Sequence, residues 1–77
     1  MADREISFEI VESIGVIGAG FKEWKKELNL VAWNGRDPKL DLREWSEDHQ
    51  NMGKGITLTR EEGARLATLL EGYLKKA

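Results

Sequence analysis

The order of apolar and polar residues changes period along the chain, and each change marks an element. Across residues 7–17, Phe8, Ile10, Ile14 and Val16 share one parity, and Glu9, Ser13 and Gly15 take the other. Strand side chains alternate faces with period two, so this stretch predicts a half-buried strand. Glu12 interrupts the apolar face and marks a bend or bulge, and Gly18-Ala19-Gly20 marks a turn. A second strand fits residues 24–33, with Leu28, Leu30 and Ala32 on one face and Lys25, Glu27, Asn29, Val31 and Trp33 on the other. Asn34-Gly35 follows at once and readily takes the positive φ of a hairpin, with Arg36-Asp37-Pro38 lengthening the loop. A third strand covers 39–45, with Leu40 and Leu42 opposed to Lys39, Asp41, Arg43 and Trp45. Ser46 to Gly53 is polar and reads as a loop, and Lys54 to Leu58 as a short fourth strand.

The period then becomes helical. Thr59-Arg60-Glu61-Glu62 is a capping box, in which the threonine oxygen and the glutamate satisfy each other's backbone N–H groups. Leu66, Leu69, Leu70, Tyr73 and Leu74 follow at the spacing of one apolar helix stripe. The small residues Gly63 and Ala67 permit close approach of another backbone. The predicted class is α+β, in the order β-β-β-β-α, over one domain spanning residues 1–77. The leucine face of the sheet is expected to meet the helix stripe and form the core, leaving the second face turned outward.

Composition narrows the chemistry. The 77 residues include no cysteine and one histidine, His49. No disulfide or thiolate site is available, and a metal or other cofactor is not expected. No apolar run reaches the roughly 20 residues that span a bilayer. The charged start Met1-Ala2-Asp3-Arg4-Glu5 lacks a signal peptide's apolar stretch. A cytoplasmic protein without a membrane or small-molecule role is the expectation. His49 lies in the polar loop and is expected to be solvated. With no nucleophile or acid–base set converging, an enzyme is not expected.

Net charge is −2, but it is unevenly spread: residues 1–20 carry −3, residues 21–60 carry +1 and residues 61–77 carry 0. Any affinity for phosphates must therefore be local. The outward sheet face offers such a patch, with Trp33 and Trp45 among Lys25, Lys39 and Arg43, and Arg36 in the adjoining loop. Bases stack on aromatic rings for about 1–3 kcal/mol each while cations track the phosphates, which suits unpaired strands. Lys22 and Lys26 are weaker members of the candidate set. The same face could instead be a second core, a dimer interface or a docking surface for a protein, and composition alone leaves these readings level with strand binding.

The run Leu40-Asp41-Leu42-Arg43-Glu44-Trp45, a polar loop, Gly53-Lys54-Gly55-Ile56-Thr57-Leu58-Thr59 and an amphipathic helix together resemble the positive cofactor four family of transcriptional coactivators. Leu28-Asn29-Leu30-Val31-Ala32-Trp33-Asn34-Gly35 extends the likeness toward that superfamily's small bacterial YdbC-like proteins, over roughly residues 6–74. The resemblance implies a curved four-stranded antiparallel sheet backed by one helix. It also implies a homodimer that binds single-stranded DNA with little sequence preference. The family's basic and aromatic strand positions fall on Arg43, Trp45 and Lys54, with Trp33 and Arg36 at the end of the second strand and in its hairpin. This hairpin is less basic than the family's. Single-stranded RNA and a protein partner remain the alternatives, since stacking alone does not distinguish RNA from DNA. Lys54 shares parity with Ile56 and Leu58, which belong to the core, so a bulge at Gly53 or Gly55 is needed to turn it outward.

Overall fold

A computed structural model describes residues 7–76. Four strands, β1 (Phe8–Ala19), β2 (Lys25–Trp33), β3 (Lys39–Trp45) and β4 (Met52–Leu58), precede one helix, α1 (Arg60–Leu74). The strands form an antiparallel meander in the order β1-β2-β3-β4, so the α+β order expected from the sequence is the one observed. No helix among the described residues is long and apolar enough to cross a membrane.

β1 runs two residues beyond its expected end, and its regular alternation does not hold. Its register against β2 shifts three times, at Ile10/Glu12, Ser13/Gly15 and Val16/Gly18. Each shift swaps the face that the following residues occupy, because side-chain direction has a period of two. Ile14 therefore parts from Phe8 and Ile10. The β2–β3 ladder is regular by contrast, running from Lys25 opposite Trp45 to Val31 opposite Lys39. Asn34 and Gly35 take φ of 52° and 75°, the left-handed pair that a tight hairpin needs. The Arg36 N–H donates to the Trp33 carbonyl across this turn, at 2.9 Å.

β4 carries a bulge, but it does not turn Lys54 to the aromatic face: Lys54 keeps the side of Ile56 and lines a cleft with Leu42 and Ile17. Arg43 pairs with Gly55 but Trp45 pairs with Met52, so β4 carries one residue more than β3 between these pairs. Gly55 lies against β3 so closely that a Cβ there would overlap the Arg43 Cβ and the Leu42 carbonyl. Gly63 plays the same part on the helix, where a Cβ would meet the Leu40 side chain. The capping box forms as expected: Thr59 Oγ1 accepts from Glu62 N at 3.0 Å, and Glu62 Oε1 accepts from Thr59 N at 2.8 Å. It stabilises the helix start by about 1 kcal/mol.

The expected distribution of the core is reversed. The fully buried large side chains are Trp45, Val31, Asn29 and Asp41, all on the face that the alternation turns outward. The leucine face is only half covered, because α1 touches β3 and β4 through its first turns and buries no residue of its own. The cause is curvature. Phe8 pairs with Trp33 at the last residue of β2, and Trp45 pairs with Lys25 at the first. Eight residues of straight strand would separate those rows by about 26 Å, yet the Phe8 and Trp45 ring centroids are 5.1 Å apart. The sheet curls until its concave face closes on its own side chains.

Candidate nucleic-acid interface

Burial divides the sequence-predicted site residues. Trp45 is 0% exposed, with Phe8 on one side and the His49 ring at 5.5 Å on another. The expectation of an exposed Trp45 is therefore corrected: a sheet this tightly curled makes its aromatic face an interior. Trp33, at the rim, is half-buried. It meets Phe8 at 5.9 Å, and the Arg43 guanidinium lies 4.8 Å from its ring centroid. That is within the range of a cation–π contact.

Arg43 is also less free than the sequence suggests. Its Nε and Nη2 donate to Asp41 Oδ1 and Oδ2 at 2.6 and 2.8 Å, and Nη1 donates to the Gly53 carbonyl at 3.2 Å. Asp41 also accepts from the Thr57 hydroxyl at 3.2 Å. Arg43 therefore joins β3, the β4 bulge and Trp33, and most of its charge is met by a fully buried carboxylate.

Of the candidate cations, Lys25, Lys26, Arg36, Lys39 and Lys54 are exposed, as is the weaker candidate Lys22. Lys25 and Lys39 stand at opposite ends of the concave face, as their pairing with Trp45 and Val31 requires. Arg36 follows Trp33 through the hairpin. Lys26 has the opposite parity to Lys25, on the leucine side of β2. Even so, Lys26 and Lys54 line one cleft of about 230 Å³ with Arg43, Glu44, Leu42 and Ile17. The structure thus gathers Lys26, Arg43 and Lys54 at one place and Trp33, Arg36 and Lys39 at the end of β2, rather than on one flat surface.

His49 corrects the expectation of a solvated loop. Its Nε2 lies 2.9 and 3.0 Å from the two carboxylate oxygens of Glu27, which is buried and also accepts from Asn29 Nδ2 at 3.0 Å. His49 has a positive φ of 59°, which costs a non-glycine residue roughly 1–3 kcal/mol; the Glu27 and Trp45 contacts offset this. The rest of the β3–β4 loop is ordered by Asp48. Its carboxylate accepts from the Gln50 N–H at 2.9 Å and the Ser46 hydroxyl at 2.8 Å. These two bonds, the backbone one first, hold the carboxyl below its ordinary 3.8.

Two aromatic residues stood outside the candidate site set. Trp24, half-buried, lines an open cleft of about 500 Å³ with Lys22, Lys25, Glu23 and Glu47. Phe8 belongs to the Trp33–Trp45 cluster, not to the leucine face. The available signal was the Glu12 interruption, which placed a bulge in β1 without fixing how many there are.

The site and fold together define a small α+β module, a curled four-stranded meander closed by one C-terminal helix, with a Trp–Arg pair at its rim. Residues 21–69 match the model of the family described as transcriptional coactivator p15 (PC4). The chain belongs to the PC4 family. It is also 41% identical, over 70 residues, to an uncharacterized protein of Treponema pallidum (strain Nichols), a match that covers 91% of this chain and 82% of that one. Family membership carries single-stranded DNA binding and coactivator-type roles in general terms.

Proposed function

We propose that this chain is a non-enzymatic cytoplasmic protein that binds single-stranded DNA with little sequence preference. The observation that carries this reading is the Trp33 rim. A half-buried indole lies 4.8 Å from the Arg43 guanidinium, and the hairpin that follows it and the start of β3 present the exposed cations Arg36 and Lys39. A base stacking at Trp33 brings its phosphates within reach of those two side chains. Lys26, Lys54 and Lys25 supply the remaining positive charge along the strand's path. The overall charge of −2 requires this local concentration. Titration of tryptophan fluorescence with a mixed-sequence oligomer of about 20 nucleotides, against duplex of the same sequence, tests the reading. Salt-reversible quenching by the single strand alone is expected, and equal response to duplex, or none to either, would refute it.

The binding unit in this reading is a homodimer. Leu69, Leu70, Tyr73 and Leu74 of α1 are exposed, Leu74 at 73%. Between helix and sheet runs a cleft of about 270 Å³ with almost wholly apolar walls, lined by Ile17, Leu28, Leu42, Leu58, Leu66 and Leu70 among others. An apolar surface of this kind on a small domain favours association, and a second copy offers a stripe of matching character.

A further inference from the structure

Among the described residues, three buried polar atoms of the concave face have no hydrogen-bond partner: the indole nitrogens of Trp33 and Trp45 and the Asn29 Oδ1. Buried donors are almost always paired, and these two indole N–H groups belong to the two rings between which Phe8 sits, 5.9 Å from one and 5.1 Å from the other. Phe8 is the first residue of an edge strand. Among the described residues, Phe8, Glu9 and Ile10 pair with β2 before the first register shift breaks the ladder. Just before them, Ser7 is tied to the hairpin through Asn34: Ser7 N donates to Asn34 Oδ1 at 3.0 Å and Asn34 N donates to the Ser7 carbonyl at 2.8 Å. The segment 8–10 is therefore a short flap, separable from the rest of β1 at the Ile10/Glu12 bulge.

We propose that the space Phe8 occupies between Trp33 and Trp45 is a nucleobase slot, and that Phe8 fills it as a self-contained stand-in until an unpaired base displaces it. The inference rests on the single-strand reading and adds an occluded binding position to it. A planar ring of base size already fits there. A base would bring what phenylalanine lacks, carbonyl and ring-nitrogen acceptors for the orphaned indole donors. Release of the flap gives up three residue pairs at an open edge together with the Ser7–Asn34 hydrogen bonds, and leaves the regular β2–β3 ladder intact. Because the slot must open before it can bind, the free chain's affinity is lowered by the fraction of molecules closed.

Two measurements decide the matter. In the first, salt-reversible binding of an oligothymidine of about 20 nucleotides is compared for the wild-type chain and Phe8→Ala, with Phe8→Leu replacing it if the alanine chain fails to fold by circular dichroism. The variant is expected to bind about tenfold more tightly, as the competing ring contact is lost. Wild-type binding with equal or weaker affinity in the folded variant overturns the slot and leaves the single-strand reading standing. Binding by neither chain removes both. In the second, amide hydrogen exchange of the wild-type chain at saturating oligothymidine is expected to quicken at Glu9, whose N–H faces β2 in this register. Slower exchange there means that the flap stays closed, and overturns the proposal without recourse to a variant.

Discussion

Asp41 and Arg43, two residues apart on β3, are joined by a two-point ion pair in which the carboxylate is wholly buried and the guanidinium nearly so. Such a pair is costly to break from one side, because the remaining charge stays desolvated. Arg43→Ala is expected to lose about 3–5 kcal/mol of stability, seen as a lower urea midpoint at an unchanged slope. A loss below about 1 kcal/mol would show that Asp41 can be solvated in place. Weakened DNA binding by this variant therefore reports on folding first, and Arg36→Ala and Lys39→Ala are the cleaner probes of phosphate contact.

The salt dependence of binding measures those contacts. On single strands, log affinity falls with log salt at about −0.7 per phosphate neutralised. Lys54→Ala is expected to make that slope shallower by about 0.7 while leaving thermal stability within experimental scatter, since Lys54 is exposed. An unchanged slope would remove Lys54 from the interface.

Gly55 sets the fit between β3 and β4. A methyl group there overlaps the Arg43 side chain and the Leu42 carbonyl, and overpacking of this kind costs about 1–3 kcal/mol. Gly55→Ala should lower the melting temperature, whereas Gly18→Ala, where the added carbon meets nothing within 4 Å, should not do so through a clash. Equal melting temperatures for Gly55→Ala and the wild type would contradict the close approach.

Asp48 gives the β3–β4 loop a dependence on acid. Its folded pKa lies below the ordinary 3.8, so its stabilising effect is complete above that value and is lost as pH falls through the depressed one. The ring contact between His49 and Trp45 should therefore loosen below about pH 4, monitored by tryptophan fluorescence. Asp48→Asn should flatten that acid limb; an unaltered limb would assign it to other carboxylates.

The dimer reading predicts a light-scattering mass of twice the 8.8 kDa chain at micromolar concentration. Leu70→Glu, in the apolar cleft, should return it to a single chain. A wild-type mass of one chain would refute dimerisation.

The elements were legible because their signals are local. The 39–45 alternation, the Asn34-Gly35 turn and the Thr59/Glu62 capping box each depend on neighbours within a few residues, and all formed. The Lys54 parity conflict pointed to a bulge in β4 that is present, although Lys54 itself stays on the leucine side. What could not be read was curvature, which depends on the sum of bulges along β1 and brings Phe8 to Trp45 across the whole width of β2. Parity correctly placed Trp33, Trp45 and Arg43 on one face but could not say whether that face was open. The same blindness hid the partners of His49 and Asp41, because Glu27 and Thr57 lie 22 and 16 residues away in sequence.

The three register shifts in β1 also bear on solubility. A 12-residue edge strand carrying exposed Val11, Ile14, Val16 and Ile17 is a template on which further chains could align and polymerise. Each shift puts a residue out of step with the ladder and twists the edge, so that no long, straight row of free N–H and C=O groups faces outward. The irregularity that closes the sheet around its tryptophans thus also guards the molecule against growing into a ribbon of its own copies.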